Sequence, residues 1–258
     1  MRLFLKYVSM HFKSQMEYRV SFILTTIASF MILFTMYFSI IALFQTFHNI
    51  KGFILFEVLL CFSTVLTGYS FAEGLIRGFD MFDGLIVRGD FDRLLVRPKS
   101  IFLQVLGSEI AFSRVGRIVQ SITILCISVY NIKIPIVSFK MLVVLLMVIG
   151  SFCVFAGIFI LSASFCFLTV QGLEVRNILT DGAREMASYP MGIYKREFFY
   201  FFTFVVPISC VNYFPLLYVL GKNDIMYYGM MPLVGILFLG ASIFVFYRGV
   251  RRYAGTGS

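Results

Sequence analysis

The sequence predicts an all-α polytopic membrane protein: six transmembrane helices, an N-terminal interfacial amphipathic helix, and a short charged helix at the cytoplasmic surface. Three observations predict it. Six apolar runs approach or exceed the roughly 20 residues that a helix needs to cross a bilayer. Lys and Arg collect in alternate connections between those runs. Only 14% of residues are charged, against roughly 25% in soluble domains, and the mean hydropathy is +0.92. A chain of 258 residues leaves room for one membrane domain of several spans and no second globular domain.

Residues 1–19 make the first element. Arg2, Lys6, Ser9, Lys13 and Glu17 recur at steps of three and four, one polar stripe of a helix, with Phe4, Tyr7, Val8, His11 and Phe12 opposite. A basic amphipathic helix with aromatic residues lies in the headgroup plane, held by membrane lipid. It serves either as a platform for a soluble partner or as a plain anchor. Residues 20–258 form a single transmembrane domain.

The first apolar run, about 20–47, is uncharged and too long for the roughly 7–15-residue core of a signal peptide. The others are about 53–73, 101–130, 139–170, 198–220 and 229–247. Sixteen Lys and Arg fall in the N-terminal segment, the loops at about 74–100 and 171–197, and the tail. Four (Lys51, Lys133, Lys140 and Lys222) fall in the alternate connections. The positive-inside rule puts both termini and the two longer loops in the cytoplasm. Charge spread this way orients a membrane protein, so the net +9 does not point to nucleic acid.

The fifth run contains Pro207, Asn212 and Pro215. Proline within a helix removes a hydrogen bond and clashes with the turn before it. Irregular backbone at membrane depth persists only inside protein or beside water. Two forms stay open: a kinked full span and a re-entrant hairpin at the outer face.

The segment between the second and third runs is the most informative. Gly89 breaks the preceding turn, and Asp90 is placed to cap a new helix. Asp92 in the first turn and Arg97 in the last suit the helix dipole, and Pro98 stops it. Phe91, Leu94 and Leu95 form an apolar ridge ringed by Arg88, Arg93 and Arg97. So short a helix needs tertiary or partner contacts to persist. The ridge suits a groove on another protein or this protein's own surface. In the second charged loop, Glu174, Arg176, Asp181, Arg184 and Glu185 predict a helix that ends before Pro190, with Asp181 and Arg184 paired on one face.

Glu109, Arg114 and Arg117 interrupt the third run. Intramembrane charges are expensive, and here near the inner interface they are expected to pair structurally. Glu57, inside the outer end of span two, faces either a vestibule or headgroups. His11 and His48 are isolated, and none of the five cysteines forms a CxxC pair. No metal site is expected. The chain contains no GxxxxGK[ST], HExxH or GxSxG. It therefore carries no Walker A loop and no recognisable catalytic residues, so it is not expected to be an enzyme.

The stretch Arg88-Gly-Asp-Phe-Asp-Arg-Leu-Leu-Val-Arg-Pro98 resembles a segment of permease subunits in type 2 ABC exporters. Arg184-Glu-Met-Ala-Ser-Tyr-Pro-Met-Gly-Ile-Tyr194 and Val206-Pro-Ile-Ser-Cys-Val-Asn-Tyr-Phe-Pro215 resemble an uncharacterised branch of the same permeases. The resemblance implies that Asp90, Phe91, Asp92, Arg93, Leu94, Leu95, Arg97 and Pro98 form an ATPase-facing coupling helix. Residues 1–19 would be its interfacial helix, and Pro207, Asn212 and Pro215 would belong to an outer irregular segment. It implies two ATP-binding cassette ATPase subunits, which hold the ATP and Mg, and a second permease, with a heterodimer favoured. No cofactor would bind this chain. The expected function is export of an amphipathic or lipid-like cargo (a drug, peptide or lipid-linked molecule) across a bacterial plasma membrane. A membrane scaffold and an ion-coupled carrier are the rivals.

Overall fold

The computed structural model describes residues 2–167 and 177–253 and is helical, with one isolated bridge between Ile50 and Phe53. In chain order the helices are α1 (Arg2–Glu17), α2 (Arg19–Thr46), α3 (Leu55–Leu75), α4 (Arg77–Asp80), α5 (Phe82–Val87), α6 (Asp90–Val96), α7 (Ile101–Leu106), α8 (Val115–Ile132) and α9 (Phe139–Phe165), then α10 (Ala183–Ala187), α11 (Arg196–Phe204), α12 (Phe214–Val219), α13 (Met226–Met230) and α14 (Val234–Arg252). A 3₁₀ turn at Phe112–Arg114 leads into α8. One π-turn, Ile178–Gly182, leads into α10 and another, Ser209–Tyr213, into α12.

Five helices are long and apolar enough to cross a membrane: α2, α3, α8 with its 3₁₀ turn, α9, and α13–α14 taken together. α3 and α9 are the hub, buried along most of their length, while α2, α8 and α14 are mostly exposed. Small residues allow the hub to close. A Cβ on Gly68 of α3 would come within 2.6 Å of Ser151 Cβ and Phe152 N of α9. Where α14 begins, a Cβ on Gly235 would come equally close to the Gly150 carbonyl. Such residues let backbones approach where lipid offers no hydrophobic drive between helices.

The third run begins later than expected. Residues 101–106 form the separate α7, and the chain breaks around Gly107–Ala111 before α8. Glu109 lies in that break and not inside a span.

The fifth run does not cross. Lys51 Nζ, in the tight α2–α3 turn, donates to the carbonyls of Gly192 (3.3 Å) and Ile193 (3.1 Å). Lys222 Nζ donates to the neighbouring Gly52 carbonyl (2.8 Å) and pairs with Glu57. The chain from 193 to 222 therefore starts and finishes at one end of the bundle. In between, α11 and the Ser209–Val219 helix meet at 89°. That geometry is a hairpin, the second of the two forms open in the sequence. Its apolarity mimics a span because hydropathy reports the surroundings of a segment, not whether it turns back.

Residues 177–193 run along α3 toward the Lys51 end. Along them, the partners on α3 fall back: Asp181 meets Tyr69, Ala187 meets Cys61, and Ile193 meets Lys51 just before α3. Lys195 and Arg196, expected in a cytoplasmic loop, thus follow a residue held at the Lys51 end. Moving those two cations leaves fourteen against six, and the charge asymmetry survives. Glu174 and Arg176 lie outside the described residues. The expected Asp181–Arg184 pair forms at 3.1 Å, and α10 ends before Pro190.

Candidate functional site

The site is built at the Glu73 end, where α3 breaks into α4–α7. Gly89 adopts φ +70°, which glycine enters without steric cost. Gly89, not Asp90, is the residue at the N-cap of α6, and no side-chain cap forms. The Asp90 carboxylate instead pairs with Arg88 (3.2 Å) and Arg93 (3.3 Å), fastening the first turn of α6 to the end of α5. At the other end, buried Gln104 of α7 donates to the carbonyls of Leu94 and Lys99, both at 3.1 Å. Arg97 is extended and Pro98 exposed, so the helix stops there.

Phe91 does not join an outward ridge. It is 0% exposed, and its ring packs on Phe82 of α5 (5.0 Å), Phe167 beyond α9 (5.5 Å) and Tyr253 beyond α14 (5.1 Å). Phe82 meets Phe246 of α14 at 5.7 Å, and Phe246 meets Phe79 of α4 at 5.1 Å. Edge-to-face aromatic pairs each contribute about 0.5–1.5 kcal/mol beyond burial. Phe91 is thus a peg in a socket built from the ends of two long helices. Leu94 is half-buried and packs on the same core. What faces outward is Val87, Arg88, Arg93, Leu95 and Val96, the last 86% exposed. Asp92 is half-buried on the flank.

Above the socket lies a buried ionic knot whose centre, Glu73, was not singled out in the sequence. Glu73, near the end of α3 and 5% exposed, accepts from Arg77 (3.2 Å), Arg114 (2.9 Å) and Arg117. Arg77 also pairs with Asp80 (2.9 Å), and Arg114 donates to Ser29 of α2 (3.0 Å). Arg117 and Arg184 flank the Tyr69 ring at 5.9 and 5.1 Å. The expectation that Arg114 and Arg117 pair structurally holds, with Glu73 as the partner and not Glu109. One signal was in the sequence: Glu73 stands four residues before Arg77, a helical pairing distance.

α1 docks beside this region. His11 Nε2 lies 2.9 Å from the Gly107 carbonyl, and Gln15 Nε2 donates to the Ile110 carbonyl at 2.6 Å. Phe12 meets Phe112 at 5.4 Å. Arg2 opens the helix, while Lys6 and Lys13 face outward. The helix therefore spans the α7–α8 break.

Asn212 sits in the π-turn of the hairpin and is 1% exposed. Its amide donates to the Ala187 carbonyl and Cys61 Sγ, both at 3.0 Å, and its carbonyl accepts from Thr64 at 3.1 Å. Pro207 and Pro215 are buried on either side. Asn212 thus ties the hairpin to α3 and α10. At the Lys51 end, the open question over Glu57 resolves to a pair with Lys222, whose ammonium stands 3.9 Å from the Phe53 ring centroid. Among the described residues no cluster of His, Cys, Asp or Glu could hold a metal.

A family model described as ABC-2 family transporter protein matches residues 30–257. The chain belongs to that family. It is a transmembrane permease component of an ABC transporter, of a kind that carries no ATPase domain of its own. No curated protein and no solved structure matches it. Within this ABC-2 permease, the short α4–α7 segment and the docked α1 lie at the end of the bundle where the Arg-rich tail also emerges.

Proposed function

We propose that this permease exports an amphipathic or lipid-like cargo, a drug, peptide or lipid-linked molecule, driven by two separate ATP-binding cassette subunits that hold ATP and Mg. It works beside a second permease, with a related chain favoured over an identical one. The membrane is a bacterial plasma membrane. The Glu73 end and both termini lie in the cytoplasm, and the Lys51 end, with the hairpin, lies outside. Permeases of this family generally pair with ATPase subunits.

One observation carries the reading: α6 is fixed inward and free outward. Its peg is fully buried among rings from α5 and the ends of α9 and α14. Its other face offers Leu95 and Val96 among Arg88, Arg93 and Arg97. A seven-residue helix held this way passes a push from below to several spans as a rigid body. Phe91 is the residue that transmits, and Leu95 and Val96 are the residues that touch. The ionic knot around Glu73 and the docked α1 join the lever to α2, α3 and α8. A scaffold would gain nothing from so rigid a link between a surface helix and the spans.

The test is the Leu95→Asp, Val96→Asp double variant. Both side chains are exposed, so the permease is expected to remain folded in the membrane. Co-purified ATPase is expected to fall roughly tenfold or more, as when hot-spot contacts are lost. ATPase capture equal to wild type would count against the reading.

A further inference from the structure

The end of α14 presents a charged face that the lever does not use. Arg248, Arg251 and Arg252 are exposed, and none makes an ion pair among the described residues. Arg248 stands over the Phe244 ring at 5.9 Å. Together with Tyr247 these residues wall a notch of about 320 Å³. The Arg-lined part is continuous with an apolar track. Leu237 (73% exposed), Gly240, Ala241 and Phe244 (63% exposed) follow one another along the same helical face at steps of three, one and three. Space around Gly240 is open, so the two large side chains bracket a shallow trough. Four residues further down, Arg248 begins the basic end.

We propose that this face binds one anionic phospholipid of the adjoining leaflet. Its headgroup phosphate is held by the three guanidiniums and an acyl chain lies in the trough between Phe244 and Leu237. The proposal rests on the cytoplasmic placement of this end given above. Guanidinium forks match phosphate oxygens in pairs, and basic clusters at the cytoplasmic end of a span attract anionic headgroups. Diffuse attraction needs only charge. A notch with aromatic walls, continuous with an exposed apolar stripe, fits a molecule that carries both an anion and a chain. A free phosphate would have no use for the trough.

Occupancy has a mechanical consequence. Phe246 on α14 and Tyr253 just beyond it interleave with these residues, facing inward, and both belong to the aromatic cluster around Phe91. Tyr247 itself stacks on Phe102 of α7 at 6.4 Å. A lipid clamped here braces the wall of the socket that holds the lever.

The full-length permease with its ATPase, purified in mild detergent, is titrated with phosphatidylglycerol and with phosphatidylcholine of the same chains, and bound lipid is counted by native mass spectrometry. Wild type is expected to retain one phosphatidylglycerol per chain and to prefer it by roughly tenfold, the scale of one well-made charged contact. Arg248→Gln, Arg251→Gln, Arg252→Gln together should abolish the preference. The triple Lys variant keeps the charge, and so the membrane orientation, but lacks the paired geometry, and should bind several-fold more weakly. Retention unchanged by the Gln variant, binding by the Lys variant equal to wild type, or displacement of the lipid by inorganic phosphate alone would each overturn the site. ATPase capture is scored on the same preparations. Lipid loss as expected with no ATPase held by wild type sinks the lever and leaves the site. ATPase held with lipid indifferent to the arginines sinks the site alone.

Discussion

Phe91→Ala is expected to uncouple the permease from its proposed ATPase partner without releasing it. The ring is wholly buried against three others, and truncating a buried Phe typically costs about 3–5 kcal/mol through lost burial and the cavity left behind. That cost falls on the joint and not on the docking face, because Leu95, Val96 and Arg93 point the other way. The expected result is a permease that still captures ATPase while cargo-stimulated hydrolysis and transport drop to near background. Phe91→Leu nearly preserves volume and should cost on the order of 1 kcal/mol, with coupling largely kept. ATPase turnover in reconstituted vesicles, with and without cargo, reads both. Wild-type stimulation in the Ala variant would mean that the lever moves the spans by some other route.

Glu73→Ala is expected to be the most damaging single change. It leaves three guanidiniums without their shared carboxylate, and removing one partner of a buried ion pair costs about 3–5 kcal/mol. The loss is uneven. Arg77 keeps Asp80 and Arg114 keeps Ser29, but among the described residues Arg117 keeps only the face of Tyr69. Removing the stranded charge should therefore rescue: Glu73→Met with Arg117→Met restores most of the folded yield, as apolar replacement of a buried pair often does. Thermal unfolding of the detergent-solubilised variants measures this. A double variant as unstable as the single one would place the cost of Glu73→Ala elsewhere than in the unpaired arginine.

These two residues also mark what a linear reading reached. The spans at 20–47, 53–73 and 139–170 correspond to α2, α3 and α9, because a long apolar helix announces itself by composition. The α6 helix was legible from Gly89, Pro98 and the charges between them. Its orientation was not. Phe91 and Leu95 look alike in sequence, and only the rings of Phe167 and Tyr253, remote in the chain, decide which one turns inward. Glu73 was passed over because two of its partners, Arg114 and Arg117, lie some forty residues away. The hairpin misled for a different reason. Residues 198–220 are as apolar as a span, whereas the chain that climbs along α3 from Asp181 to Ile193 carries Arg184 and Glu185 and reads as a loop. Asn212 was singled out in the sequence, but its ties to Cys61, Thr64 and Ala187 required the fold.

The proposed lever lays the outer face of α6 against a nucleotide-hydrolysing subunit. A photo-crosslinking amino acid placed at Val96, 86% exposed, tests it in native membranes that contain the whole assembly. The expected result is an adduct between the permease and an ATP-binding cassette subunit, with a yield that changes when nucleotide is added. Adducts only with lipid, or none at all under conditions where a crosslinker in a membrane span reacts, would contradict it.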